Sequence, residues 1–285
     1  KGLWISGFQR SLSLQNLLFP FKVFISLLQS LFILLRFNPD AVIGTGGFAS
    51  WPLLQVAQWL DYPTLIQEQN SFPGIANRIL GKKANRVCVA YEKMEHYFPL
   101  YKLRLTGNPI RFNMLSSAIT AGAAKSFFGL DPQKPTLVVI GGSLGAKRIN
   151  ELVAKELFFF KTHDFQILWQ CGELYFNKYK TLSCPEVVIK SFVYEMEKLY
   201  AAADIIISRA GAGSLSELSC VGKPLILIPS PNVTANHQFH NARILVDKKA
   251  AFLVEEFDVP KFFKRTFKKL ATDKSLQKEM GQNLK

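Results

Sequence analysis

Thr136-Leu137-Val138-Val139-Ile140-Gly141-Gly142-Ser143-Leu144-Gly145-Ala146 decides the fold. Five consecutive residues, mostly β-branched or aliphatic, break into a glycine turn, and a helical pattern follows from Lys147. An unbroken apolar run without in/out alternation is how a strand covered on both faces reads, as in parallel sheets. Glycines permit the tight turn and a close approach of backbone to a ligand. The unpaired N–H groups and the dipole at the next helix start favour a phosphate. Ser143 adds a hydroxyl donor. Glycine turns of this kind also serve packing alone.

The same grammar recurs outward from this point. Ile205-Ile206-Ile207 leads into Ser208-Arg209-Ala210-Gly211-Ala212-Gly213-Ser214-Leu215-Ser216-Glu217. Ser214 and Glu217 have capping-box spacing, a purely structural role. The alternative is that Glu217 accepts hydrogen bonds from both hydroxyls of a ribose, as acidic residues do in dinucleotide folds. Two glycine-rich helix starts in one α/β domain suit a nucleotide diphosphate. Ten short apolar runs are strand candidates: 41–43, 64–66, 87–90, 103–106, 137–140, 167–169, 187–189, 205–208, 225–228 and 251–254. Helical stretches separate most of them, so repeated βα units predict α/β domains with parallel sheets. A seam at 108–134, opened by Gly107-Asn108-Pro109 and closed by Asp131-Pro132, divides two Rossmann-like halves, expected as 1–112 and 113–285. In the first half, Gly44-Thr45-Gly46-Gly47-Phe48 is another strand-to-helix glycine turn. Gln67-Glu68-Gln69-Asn70 stands at the carboxyl end of a strand, where parallel sheets bind ligands. Loop solvation, or a helix cap by Asn70 or Ser71, explains that cluster equally well.

The chain has 285 residues, enough for two cores. Its net charge of +14 favours anionic partners: nucleic acid, anionic lipid or nucleotide. No nucleic-acid motif or basic patch interleaved with aromatics is found, so no nucleic-acid partner is expected. The basic stretch 261–270 reads as an amphipathic helix with a solvated cationic face. Cys88, Cys171, Cys184 and Cys220 are widely spaced, which disfavours a disulfide framework or thiolate metal site and suits reduced thiols. Residues 17–37 are very apolar but are interrupted by Lys22, Ser26, Gln29, Ser30 and Arg36 at helical spacing. A helix buried in the first domain and a helix lying in an anionic membrane surface both fit this pattern better than a span.

Taken in order, Gly44-Thr45-Gly46-Gly47-Phe48-Ala49-Ser50, the Glu68-Gln69-Asn70 run, Asn108-Pro109-Ile110-Arg111, Gly141-Gly142-Ser143, the 208–217 stretch and His237-Gln238-Phe239-His240-Asn241-Ala242 resemble the MurG family of bacterial transferases. The resemblance runs from about residue 1 to beyond 255. It implies the GT-B fold, in which two Rossmann-like domains with parallel sheets face a cleft. The first domain would face acceptor and membrane, and the second would bind the nucleotide sugar. The implied reaction moves N-acetylglucosamine from UDP-N-acetylglucosamine to a lipid-linked muramyl-pentapeptide, with inversion, at the cytoplasmic face of the inner membrane. UDP-N-acetylglucosamine, the lipid-linked acceptor and an anionic membrane surface are the implied partners. No cofactor or metal is expected.

Carried over from the family, Asn70 and Arg111 approach the sugar donor and Ser143 contacts the diphosphate. Val193 reaches the uracil through its backbone. Ala212, Gly213, Ser214, Leu215, Ser216 and Glu217 cap the nucleotide, with Glu217 on the ribose, and Gln238 holds sugar hydroxyls. Two departures are visible: Leu144 stands where relatives carry Gln, and 234–238 lacks the acidic residue common there. The family's favoured base lies in a GGTGGH loop ahead of the position where this chain begins. The chain as given is therefore expected to bind UDP weakly and turn over little, with Glu68 and His237 conceivable substitute bases. A glycolipid synthase using another UDP-sugar, or a non-catalytic nucleotide-sugar-binding protein, are the alternatives.

Overall fold

The computed structural model describes residues 2–6, 17–111 and 119–284. All ten apolar runs form strands, and the pairings between these strands are all parallel. The chain divides into two compact units, Lys1–Asn108 and Pro109–Lys285. The boundary expected at 112/113 lies outside the described residues.

In the first unit, β1 (Val42–Gly44), β2 (Thr64–Glu68), β3 (Arg86–Val89) and β4 (Leu103–Leu105) run side by side in sequence order. Helices α1 (Phe19–Phe37), α2 (Ser50–Trp59) and α3 (Ile75–Leu80) accompany them. Val42, Ile66, Val87 and Val89 point into one core with Leu34, Leu54 and Val56. The expectation of strands covered on both faces fails here. Burial alternates along β1 and β2, and Ile43 is 68% exposed on the opposite face. Among the described residues the core lies on one side of the sheet, and the alternate side chains are left partly or largely exposed.

Helix α1 corrects a second expectation, that of burial. Its buried residues are Ser26, Ser30 and Leu34, while Phe21, Phe24, Leu28, Phe32 and Leu35 are about half exposed or more. The serine hydroxyls are satisfied within the helix, Ser26 by Val23 O and Ser30 by Ser26 O, both at 2.7 Å. Small side chains on that face let α1 sit close to α2, with which it makes its main tertiary contact. The usual polarity of a surface helix is inverted.

The second unit follows the doubly wound pattern. Helices α4 (Ala121–Phe127), α5 (Lys147–Thr162), α6 (Glu173–Tyr179), α7 (Met196–Ala202), α8 (Ala212–Val221), α9 (His237–Asp247), α10 (Val259–Thr272) and α11 (Lys274–Leu284) alternate with β5 (Thr136–Ile140), β6 (Gln166–Gln170), β7 (Val187–Lys190), β8 (Ile205–Ser208), β9 (Leu225–Leu227) and β10 (Phe252–Leu253). The strand order is β10-β9-β8-β5-β6-β7. Leu137, Val139, Ile205 and Ile207 enter one core, and Val138, Ile140 and Ile206 enter the other. This sheet is covered on both faces, as its unbroken apolar runs predict. Phe263, Phe267 and Leu270 turn one face of α10 into the core, and its lysines point outward. Buried Lys125 on α4 donates to Asp204 Oδ2 and Lys134 O, both at 2.8 Å, which ties α4 to the starts of β5 and β8.

Candidate functional site

The strand order reverses between β5 and β8, and such a switch point opens a crevice at the carboxyl ends of the strands. Both glycine-rich turns leave from there: 141–146 follows β5, and 209–211 follows β8. Each turn ends at a helix start. Asn150 N–H bonds Ala146 O and Leu215 N–H bonds Gly211 O, so the first amides of α5 and of α8 stay outside the helical ladder. For α8 these are the amides of Ala212, Gly213 and Ser214.

The first turn is held by backbone-to-backbone packing. Gly145 has φ +78°, and a Cβ there would lie 2.1 Å from Cys171 O. Gly172, in the turn after β6, packs back against Gly145. Gln170, only 3% exposed, donates its amide to Gly142 O at 3.1 Å. Fully buried Asn150 donates to Cys171 O at 2.8 Å and accepts from Trp169 Nε1 at 2.9 Å. Ser143 and Leu144 are left exposed at the tip.

A cavity of about 640 Å³ opens beside this turn, lined by Gly145, Lys147, Arg148, Arg209, Ser230 and Gln238 among others. Gln238 commits its side-chain oxygen to Ser230 N–H at 2.8 Å. Arg209 donates to Ile228 O at 2.9 Å and pairs with Glu256. The sequence reading missed Lys147, Arg148, Arg209 and Glu256 as site residues. The Ser208-Arg209-Ala210-Gly211 run carried the signal for Arg209, but nothing local announces Glu256, 47 residues away.

Glu217 corrects the capping-box reading. Helix α8 starts at Ala212 with extended Gly211 as its N-cap and no side-chain cap, so Ser214 already lies inside the first turn. Glu217 bonds elsewhere: Tyr200 OH donates to its Oε2 at 3.0 Å, and Arg111 Nε stands 3.7 Å from its Oε1. The structure thus brings two of the anticipated donor residues, Arg111 and Glu217, together. Burial first, then the Glu217 charge and hydrogen bond, push the Tyr200 phenol far above its ordinary range, against a smaller opposing effect of Arg111. Tyr200 therefore stays a proton donor in this pair. Leu215 is buried in the core, and Ser216 Oγ donates to Ala212 O. Val193 is buried too, which leaves only its backbone for a ligand.

Asn70 belongs to the first unit, in the turn after β2. Its N–H donates to Glu68 Oε1 at 3.0 Å and its side-chain amide to the same oxygen at 3.3 Å. Glu68 Oε2 accepts from Gly74 N–H at 3.1 Å and Asn77 Nδ2 at 2.8 Å. Both oxygens of this buried carboxylate are committed, which argues against Glu68 as a base. The N-cap of α3 is Gly74, so Asn70 and Ser71 are not its caps. Asn108, whose Oδ1 accepts from Gln67 at 2.7 Å and whose amide donates to Gln69 O at 3.0 Å, ties this turn to the end of β4.

A doubly wound sheet with two phosphate-suited turns at its switch point, preceded by a second parallel-sheet unit, defines the GT-B fold class, whose site suits a nucleotide diphosphate. The model of the glycosyltransferase family 28 C-terminal domain matches residues 136–285, and that of the family 28 N-terminal domain matches residues 1–89. The chain is 51% identical over 286 residues to the UDP-N-acetylglucosamine--N-acetylmuramyl-(pentapeptide) pyrophosphoryl-undecaprenol N-acetylglucosamine transferase of Flavobacterium psychrophilum, covering 100% of this chain and 78% of the relative. It is 46% identical to the Cytophaga hutchinsonii enzyme of the same name, covering 100% of this chain and 77% of that one. The crystal structure of Acinetobacter baumannii MurG superposes with a TM-score of 0.73 at 29% identity, over 93% of this chain and 74% of that one. The chain belongs to glycosyltransferase family 28, among the MurG transferases.

Proposed function

We propose that this chain transfers N-acetylglucosamine from UDP-N-acetylglucosamine to the lipid-linked muramyl-pentapeptide, giving the disaccharide-pentapeptide lipid of peptidoglycan synthesis. The observation that carries this reading is the pair of amide-lined helix starts at the β5/β8 switch point, in a chain related over its whole length to enzymes with that name. In the reaction, a sugar hydroxyl of the acceptor attacks the anomeric carbon. The bond to the diphosphate breaks on the opposite face, the configuration inverts, and the hydroxyl proton passes to a base. Negative charge grows on the departing UDP. The amides of 212–214 and the first amides of α5 are held by the fold before the reaction starts, which is electrostatic preorganisation, and the exposed Ser143 hydroxyl can add a donor. Lys147, Arg148 and Arg209 bring cations to the neighbouring cavity, with Glu256 paired to Arg209 and Glu151 lying 3.2 Å from Arg148 and 3.9 Å from Lys147. Glu217 receives the ribose, and Gln238 offers its amide NH2 to the sugar. Arg111, beside Glu217, serves the donor as well. With these cations and amides meeting the diphosphate, the transfer runs without a metal.

Helix α1 supplies the membrane contact. Phe21, Phe24, Leu28, Phe32 and Leu35 form one exposed stripe at helical spacing. The helix is long and apolar enough to cross a bilayer. Its Ser26-Ser30-Leu34 face is packed in the first unit, so the stripe lies along the surface. The protein is accordingly peripheral, on the cytoplasmic side where both substrates meet.

Calorimetry with UDP-N-acetylglucosamine and UDP-galactose, paired with a radiolabelled-sugar transfer assay on the lipid-linked acceptor, tests the function. UDP-N-acetylglucosamine is expected to bind more tightly than UDP-galactose, and the slow transfer expected of this chain should favour N-acetylglucosamine. Equal handling of the two donors would refute the donor assignment.

A further inference from the structure

We infer that Tyr200 is a positioning residue for donor recognition: its buried hydroxyl fixes the Glu217 carboxylate in the rotation that receives both ribose hydroxyls of a uridine nucleotide, and so sets a preference for ribose over 2′-deoxyribose. This rests on the reading of Glu217 as the ribose ligand.

A carboxylate offers about four lone-pair sites on its two oxygens. Tyr200 OH takes one on Oε2 at 3.0 Å, and Arg111 sits beside Oε1 at 3.7 Å. Each oxygen keeps an acceptor site, and a vicinal diol presents two O–H donors to fill them. The last torsion of a glutamate is broad and roughly two-fold, so a carboxylate without such anchors turns readily. Arg111 is a weak anchor, being 53% exposed with a long contact. Tyr200 is a strong one. It comes from α7, it is 2% exposed, and its ring packs in the core with Leu199, Leu215 and Leu218. Its hydroxyl reaches Glu217 from the protein side of a side chain that is itself 15% exposed.

The test uses calorimetry of the whole chain with UDP and 2′-deoxy-UDP, for wild type, Tyr200→Phe, Glu217→Gln and the double variant, with melting temperatures recorded. Wild type is expected to prefer UDP. Tyr200→Phe keeps the buried ring, so it should weaken UDP about ten-fold and 2′-deoxy-UDP about two-fold or less, narrowing the preference. If Tyr200 acts through Glu217, the double variant should bind UDP no more weakly than Glu217→Gln alone. An equal loss for both nucleotides in Tyr200→Phe, or additive losses in the double variant, would mean a structural role only and overturns the inference. Unchanged UDP binding in Tyr200→Phe while Glu217→Gln loses affinity overturns it too, yet leaves Glu217 on the ribose. Unchanged binding in Glu217→Gln removes the ribose reading itself.

Discussion

Replacing Phe24 and Phe32 on α1 by serine should detach the protein from lipid without unfolding it. The two rings are 58% and 63% exposed, so each already lies largely outside the core. Full burial of a large apolar side chain is worth about 1.5–3 kcal/mol, so transferring the exposed half or more into a bilayer interface contributes about 1–1.5 kcal/mol per ring. The pair then accounts for about 2–3 kcal/mol, roughly a 30- to 150-fold change in partition. Co-sedimentation with vesicles of anionic and zwitterionic lipid measures it directly. The double variant should lose binding by that factor in both lipids, because the lost term is apolar. Its melting temperature should stay within a few degrees, since neither ring belongs to the buried cluster of the first unit. Unaltered vesicle partition would refute the membrane assignment of α1. Loss of binding together with loss of the fold would show instead that the stripe packs on protein.

Other outcomes follow from the sites already described. Gly145→Ala forces a left-handed residue, costing about 1–2 kcal/mol, and drives a methyl into Cys171 O; UDP affinity measured by calorimetry should fall at least about ten-fold. Glu68→Gln turns an NH2 toward N–H donors of Asn70, Gly74 or Asn77, so thermal unfolding should show a loss of about 1–3 kcal/mol. A large rate loss with unchanged stability would instead make Glu68 a chemical participant. Asn150→Leu orphans Trp169 Nε1 and Cys171 O at once and should cost about 2–4 kcal/mol in denaturant titration. Sugar transfer should be insensitive to EDTA, and a rate restored by added Mg²⁺ would overturn the metal-free mechanism.

The fold was legible because its strands are local apolar runs punctuated by glycine, and all ten appear within a residue or two of the expected positions. What local pattern could not convey was coverage. Residues 64–66 and 137–140 look alike as runs, yet one belongs to a sheet with its core on one side and the other to a sheet with cores on both. The polarity of α1 was hidden for a related reason. Serines in an apolar helix suggest a solvent face, and here they form the packing face because small side chains permit close helix approach. In the second unit, Gly142, Ser143 and Gly145 stood out as a glycine turn after a buried strand, whereas the spacing of Ser214 and Glu217 pointed to a cap that is not formed. Tyr200, Glu256 and Gln170 did not stand out, since each reaches its partner across 17 to 47 residues of chain, and only the folded sheet brings them in.

The interlock of Gly145 with Gly172 has a further consequence for how such a cradle can change. Two backbones touch with no side chain between them, so the curvature of the turn owes nothing to the residue at its tip. Leu144 is 72% exposed there. Substitution at that one position can retune what meets the ligand while the amide lattice beneath keeps its shape, and a leucine in place of a more polar residue is tolerated on those terms.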